Sequence, residues 1–361
     1  MAYPAPEKIR PPERWNRCEG LCRVTETEPP AMTQIIPENT SINDEGLAER
    51  SQKDAKWDHH RGNTQSVESL YDLNGRYKRL AERMESCSKL LTFGQTVDRE
   101  TGEMGIKLKG AHFCKVRHCP VCQWRVSLRN IARFYEHIPN VLKAHPTAKF
   151  LFLTLTVRNP PMHELGATLT AMNSAWKRLI ERDCWPGVGF IRTTEVTKGG
   201  DGRPHPHFHA LIMVQAGYFK SGNYLSQPAW QNLWKEALRI DYEPQVNVKR
   251  IYSELGRSAG KETVESLSAA VAETLKYAVK AADIVGDPAF LYGITEQLRK
   301  RRFLSTGGIL KDALKEDASS AEMIRTGTED GKSEINEEMP AVRFSWRRSE
   351  KKYRRAKAAA G

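Results

Sequence analysis

The chain has 361 residues, 39% of them hydrophobic, with a formal net charge of +12 and a pI of about 9.3. That length holds one large or two modest domains with a real core, and the charge favours a polyanionic partner, nucleic acid before an anionic membrane surface. The longest apolar run, "FLFLTLTV" at 150–157, is far short of a transmembrane helix. The seven cysteines are odd in number and clustered, which argues for metal or free thiols over a disulfide framework.

Residues 1–65 are rich in Pro, Glu, Asn, Ser and Thr without sustained periodicity, and are expected to be mostly disordered. They start without the apolar stretch of a signal peptide, so an intracellular, cytoplasmic protein is expected. Cys18 and Cys22, a lone CxxxC pair, read as incidental. From about 66 to 86, Leu70, Leu73, Tyr77, Leu80 and Met84 stand at helical spacing.

The next stretch holds "CSKLLTFG … FCKVRHCPVCQWR". Cys119 and Cys122 form a CxxC knuckle, with Cys114 five residues before and Cys87 27 before that. Four thiolates from two separated segments fit a structural tetrahedral zinc site, for which His112 and His118 are competing ligands. A redox pair is the other reading of the CxxC, but it lacks a βαβ context and is surrounded by Lys and Arg. A basic helix, "QWRVSLRNIARFYEHI", follows.

"KFLFLTLTV" (149–157) reads as a strand with Leu151, Leu153, Leu155 and Val157 on one face and Phe152, Thr154 and Thr156 on the other. Residues 162–183 read as an amphipathic helix, and "GFIRTTEVT" (189–197) as a strand. The turn "KGGDGR" then leads into "PHPHFHALIMV". These two strands make a hairpin. Alternation puts His205, His207 and His209 on one face, where the strand enters a sheet that buries "ALIMV" on both sides. A single histidine of this kind is more often structural. Three in five residues on one face point to a divalent-metal site. Glu195, on the preceding strand, pairs near position 205 if the turn is centred near Gly200. It either joins the imidazoles around an ion such as Mg²⁺ or Mn²⁺ or is an ordinary cross-strand partner.

A helix around 227–240, a strand "PQVNVKRI", a strong helix over 261–283 and a last helix over roughly 287–302 follow. On the 261–283 helix, Glu273, Tyr277 and Lys280 lie on one stripe, opposite Val264, Leu267, Val271 and Leu275. Such a stripe is usually a solvated face. Its functional reading is a tyrosine nucleophile with Lys280 steadying a phosphate and Glu273 activating a second nucleophile. Residues 316–338 read as an acidic linker, and those from 343 as a basic tail with interleaved aromatics. The expected architecture is α+β around a mainly antiparallel sheet. It divides into a segment 1–65, a helix and cysteine module 66–135, a catalytic domain 145–312, and a linker with tail 313–361.

In this order, "FLTLTVRN", "HPHFHALIMV" and "KYAVK" resemble the motifs of rolling-circle plasmid replication-initiator (Rep) proteins of the HUH endonuclease superfamily. The "FCKVRHCPVCQWR" stretch is similar to the cysteine-rich segment of one large Rep family. The resemblance spans roughly 85–310. It implies the HUH fold, with a central antiparallel sheet, metal histidines on a middle strand and a tyrosine on a flanking helix. His207 and His209 would hold a catalytic Mg²⁺ or Mn²⁺, with Glu195 as the further ligand and His205 as an extra imidazole. Tyr277 would nick one strand of the plasmid origin, single-stranded or in a hairpin, keep the 5′ phosphate and free a 3′-OH. Glu273 would activate water to end the cycle. Tyr277 has no tyrosine at i±4, which departs from a two-tyrosine pattern. No GxxxxGK[ST] loop occurs in the sequence, so a helicase, like the polymerase, would come from the host. Arg117, Arg125, Arg129 and Lys276 are expected DNA contacts, and Trp124, Trp346 and Tyr353 are stacking candidates for which a core role is as good a reading. The alternatives are an HUH transposase or relaxase, a zinc-dependent nucleic-acid-binding regulator without catalysis, and a metallo-hydrolase without a covalent intermediate.

Overall fold

The computed structural model describes residues 44–98, 101–220, 222, 224–251, 268–276, 278–314, 323–324 and 334–356. In chain order the helices are α1 (Leu47–Arg50), α2 (Lys56–Asp72), α3 (Lys78–Glu85), α4 (Pro120–Ala144), α5 (Leu165–Ile180), α6 (Gln227–Leu238), α7 (Ser268–Thr274), α8 (Ala281–Val285) and α9 (Pro288–Gln297). The strands are β1 (Leu90–Val97), β2 (Met104–Ala111), β3 (Lys149–Thr156), β4 (Gly187–Lys198), β5 (Pro204–Val214), β6 (Val246–Arg250), β7 (Leu304–Gly308), β8 (Glu334–Ile335), β9 (Val342–Arg347) and β10 (Lys352–Arg355). The architecture is α+β, and every pairing among these strands is antiparallel.

One sheet runs β6-β3-β5-β4-β7. Its middle strand is β5, buried along almost its whole length, as the unbroken "ALIMV" requires. On one face Leu153, Leu155, Phe208, Ala210 and Ile212 join Leu169, Met172 and Trp176 of α5 and Trp230 and Trp234 of α6 in the larger core. The opposite face is apolar only at its far end. There Phe150, Ile191, Leu211 and Met213 pack with Phe134 and Ile138 of α4 and with Val271 and Leu275. Continuing along that face by twos, β5 leaves the apolar cluster and reaches His209, His207 and His205.

The other sheet runs β10-β9-β1-β2, with β8 also on β1. Its C-terminal strands were expected to be a basic tail. Instead Phe344, Trp346 and Tyr353 are core residues. Tyr353 donates its hydroxyl to the Ser88 carbonyl at 2.6 Å, and its backbone N–H to Asp58 Oδ1 at 2.8 Å. The alternation Val342, Phe344, Trp346 is the strand period, masked in the sequence by the density of Arg and Lys.

Helix α2 begins at Lys56, inside the stretch expected to be disordered, and residues 1–43 lie outside the described residues. Its inward face is Trp57, Arg61, Thr64, Val67, Glu68 and Tyr71, at helical spacing but half polar. Arg61 donates to the Glu85 carbonyl at 2.9 Å, and Trp346 Nε1 donates to Gln65 Oε1 at 2.8 Å. The single helix expected over 66–86 is two, because Asn74 caps a short turn over Gly75–Tyr77 between them. Burial of Trp124 against Trp57, with ring centroids 4.9 Å apart, completes this module.

Candidate metal centres and nicking site

The β4–β5 hairpin sets the first centre. Its turn closes with Gly199 N–H donating to the Arg203 carbonyl at 2.8 Å, and Gly202 takes φ +76°, which glycine accepts without a Cβ clash. The register opposes Glu195 to His207 and Thr193 to His209, two residues further along β5 than a turn centred at Gly200 would give. Directly opposed residues of an antiparallel pair share a face, so the carboxylate meets the imidazoles. Glu195 Oε2 lies 3.2 Å from His207 Nε2 and 3.1 Å from His209 Nε2. All three groups are buried.

The far nitrogen of each ring is tied to oxygen. His207 Nδ1 is 3.0 Å from the His205 carbonyl, which only accepts, so Nδ1 carries a proton and Nε2 is the nitrogen left to face Glu195 or an ion. His209 Nδ1 is 3.2 Å from Thr154 Oγ1, and the ring stacks on Phe152 at 5.4 Å between centroids. A strand neighbour thus orients each imidazole toward the carboxylate. Burial pushes the Glu195 carboxyl up, but the hydrogen bonds and charges of His207 and His209 outweigh it and hold it well below the usual carboxylate range. The Nε2 atoms of two imidazoles and a carboxylate oxygen converge, bridged by protons when no ion is bound, and these three groups can hold a metal ion in place of those protons.

His205 stands apart. Its Nδ1 is 2.6 Å from Asn159 Oδ1, and it is absent from the ligand group. The side chain shares the expected face, but Asn159, just past β3, turns it away. Asn159, three residues past the end of β3, is a site residue absent from the expected set, and its place beside the strand end was the available clue.

The stripe Glu273–Tyr277–Lys280 is not one helix. Helix α7 ends at Thr274, because the next carbonyls are taken by other elements. Thr193 Oγ1 donates to the Thr274 carbonyl at 2.5 Å, Ser127 Oγ to that of Leu275 at 2.6 Å, and Val196 N–H to that of Ala278 at 2.9 Å. Lys280 sits in extended backbone at the start of α8. Glu273 and Lys280 still face the centre, from two sides: Glu273 Oε1 is 4.0 Å from His209 Nε2, and Lys280 Nζ is 4.0 Å from Glu195 Oε1. Lys276 pairs with Glu273. Tyr277 lies outside the described residues.

The second centre is the cysteine cluster. Cys87 Sγ lies 3.6 Å from Cys119 Sγ and 3.7 Å from Cys122 Sγ, and Cys114 Sγ lies 3.6 Å from Cys122 Sγ. All four are buried and can hold a metal ion together. Burial pushes the Cys119 thiol up, but hydrogen bonds from Cys114, Cys122 and Cys87 outweigh it and hold Cys119 low, toward thiolate. The N–H of Lys115 reaches Cys122 Sγ at 3.3 Å and that of Val116 reaches Cys114 Sγ at 3.5 Å. Of the competing histidines, His112 is exposed. His118 is buried with neither ring nitrogen hydrogen-bonded, and both stand outside the ligand group.

Among the expected DNA contacts, Arg125 is taken out of reach. It is buried over Trp57 and Trp124 and donates Nε to the Met323 carbonyl at 2.8 Å. Arg117, Arg129 and Lys276 line a cavity of about 350 Å³ beside α4 that also includes Thr193, Thr194 and Ala278. No described helix is long and apolar enough to cross a membrane.

Comparison with known proteins adds sequence kinship. A family model described as a replication protein matches residues 105–354. "Protein rep" of Streptococcus pneumoniae serotype 2 is 32% identical over 269 residues, covering 73% of this chain and 80% of the relative. The protein of the same name from Lactiplantibacillus plantarum is 34% identical, covering 74% and 85%. That from Lentilactobacillus hilgardii is 32% identical over 314 residues, covering 84% and 96%. No solved structure matches the chain.

Proposed function

The chain belongs to the replication-protein (Rep) family of plasmid replication initiators, and from that premise we propose that it is a metal-dependent, HUH-type nicking–joining endonuclease that starts rolling-circle replication at its plasmid origin. The observation that carries this reading is the convergence of His207 and His209, on the middle strand of an antiparallel sheet, upon Glu195 of the neighbouring strand. With both Nδ1 atoms committed to oxygen, this donor set suits a hard divalent ion, Mg²⁺ or Mn²⁺, held by Glu195, His207 and His209. Such an ion, when bound, polarises the scissile phosphate. His205 supports the site through its backbone carbonyl.

In this reading the Tyr277 oxygen attacks phosphorus. The P–O3′ bond breaks, the 3′ oxygen takes a proton and becomes a primer end, and the 5′ phosphate stays on Tyr277. The linkage keeps the energy of the phosphodiester, so rejoining needs no nucleotide cofactor. The described neighbours support the assignment, since Ala278 is hydrogen-bonded to β4 one residue past Glu195. Lys280 steadies the phosphate charge, and Glu273, facing His209, activates the second nucleophile that ends the cycle. Arg117, Arg129 and Lys276 contact the DNA strand, and helicase and polymerase come from the host.

For the cysteine cluster we infer structural zinc. A Zn–S distance of about 2.3 Å implies a tetrahedron with S···S edges of about 3.8 Å, close to the 3.6–3.7 Å separations here. Backbone N–H groups aimed at two sulfurs favour the thiolate form. The test is nicking of supercoiled plasmid carrying the origin. Wild-type protein with Mn²⁺ gives open circles, and His207→Ala and Tyr277→Phe give none. Nicking that survives Tyr277→Phe overturns the covalent mechanism, and nicking that survives His207→Ala overturns the metal centre.

A further inference from the structure

A second cavity, of about 390 Å³, opens between α3, the loop before the cysteine knuckle and α9. Arg76, Arg79, Arg83, Arg299 and Lys300 line it, and Lys115 and Arg117 add two further cations. Against these seven stands one carboxylate, Glu296, already shared between Arg76 at 3.1 Å and the Tyr77 hydroxyl at 2.7 Å. Among the described residues, Arg79, Arg299 and Lys300 are exposed and have no ion-pair partner. Like charges gather at a cost unless an anion neutralises them.

Two further observations point to a ligand. His118 forms part of the cavity wall, fully buried, with neither ring nitrogen hydrogen-bonded. Buried polar groups nearly always find partners. Lys115 and Lys300, both in the lining, hold left-handed backbone, at φ +54° and +56°. Lysine there is strained where Gly or Asn would not be, so the strain is kept together with the charge. The cavity also has a direction. Lys115, Val116 and Arg117 also line the 350 Å³ cavity that reaches Lys276 and Ala278, the chain neighbours of Tyr277.

We propose that this basic pocket is a second nucleic-acid site, which grips consecutive backbone phosphates of the DNA strand that leads away from the nicking centre. The inference rests on the nicking reading for its direction, but its chemistry is separate. The arginine forks suit phosphate oxygens, and the strand reaches them along the wall that the two cavities share. Free polyphosphate offers the same chemistry, and the test separates the two.

The experiment measures binding of a labelled single-stranded oligonucleotide that extends well past the nick site, from 50 to 300 mM salt. It compares wild type with the exposed-residue double variant Arg79→Ala/Arg299→Ala and with Arg79→Lys/Arg299→Lys. Each lost phosphate contact lowers the slope of log K against log salt by about 0.7. The alanine pair is expected to flatten the slope by about 1.4, while the lysine pair restores most of it. Nicking of a short oligonucleotide confined to the nick site stays at the wild-type rate, which also shows that the variant folds. An unchanged slope overturns the proposal. So does loss of inorganic tripolyphosphate binding with the DNA slope intact, which would make the pocket a site for free polyphosphate. The slope is read from binding alone, so protein that binds and never cuts would refute the nicking reading without touching this result.

Discussion

Thr154→Val removes one hydroxyl and keeps the β-branched shape a strand prefers. That hydroxyl lies 3.2 Å from His209 Nδ1 and is the group that fixes which nitrogen of the ring faces Glu195. Loss of such an outer partner typically lowers metal affinity 10- to 100-fold, about 1.4–2.7 kcal/mol. The neighbouring Thr156→Val is the matched control. Its hydroxyl donates to the Gln245 carbonyl at 3.0 Å, and His207 is oriented instead by the His205 carbonyl. That variant is expected to lose no more than about 1 kcal/mol of stability and no metal affinity. Mn²⁺ titration followed by electron paramagnetic resonance reads the affinity without any nicking. Equal affinities for wild type and Thr154→Val, or an equal loss in both variants, would refute the orienting role.

Other outcomes follow from the same structure. Cys119→Ser, at a position fully buried among the other three sulfurs, should lose bound zinc by elemental analysis and fail to give a cooperative melt, because binding and folding of such modules are linked. Tyr353→Phe removes a buried hydroxyl bonded to Ser88 and should cost about 1–2 kcal/mol in denaturant melts, whereas removing residues 341–361 should abolish the folded state rather than only weaken DNA binding. Asp287 caps α9 through the Phe290 N–H at 2.9 Å. Its carboxyl is held below the usual range by Lys198 first and that N–H second. A lowered folded value means that the contribution is present above the unfolded carboxyl value of about 3.9 and is lost as pH falls through the folded one. Asp287→Ala should therefore cost about 1 kcal/mol near neutral pH, and the gap to wild type should close below about pH 4.

Four strands of the central sheet, β3 to β6, could be read from the sequence because they are apolar or alternating runs and the hairpin is marked by glycines, whereas the edge strand β7, with its two glycines, could not. The period of two put His207 and His209 on one face of their strand, and the turn position brought Glu195 near them. Less legible was anything set by tertiary competition. The 261–283 segment has strong helix propensity, yet Thr193, Ser127 and Val196 draw off the carbonyls that would continue α7. The hairpin of β1 and β2 was not among the expected elements: its strands carry Gly94, Gly105 and Gly110 and mix buried with partly exposed positions, so their pattern is faint. Helix α2 and strands β9 and β10 bury arginine, glutamate and threonine beside tryptophan. Polar residues whose hydrogen-bond partner lies far along the chain, as that of Glu68 lies 280 positions away at Arg348, look like surface until the fold exists. Arg125 misled for the same reason.

The covalent intermediate is the most direct test of nicking by Tyr277. Wild-type protein, Mn²⁺ and an origin oligonucleotide, quenched and digested, would be searched by tandem mass spectrometry for a peptide carrying a nucleotide on its phosphate. The modified residue is expected to be Tyr277, the adduct to hold the 5′ phosphate, and EDTA or His207→Ala to abolish it. An adduct on another residue, or cut DNA with no adduct at all, would contradict nicking by Tyr277.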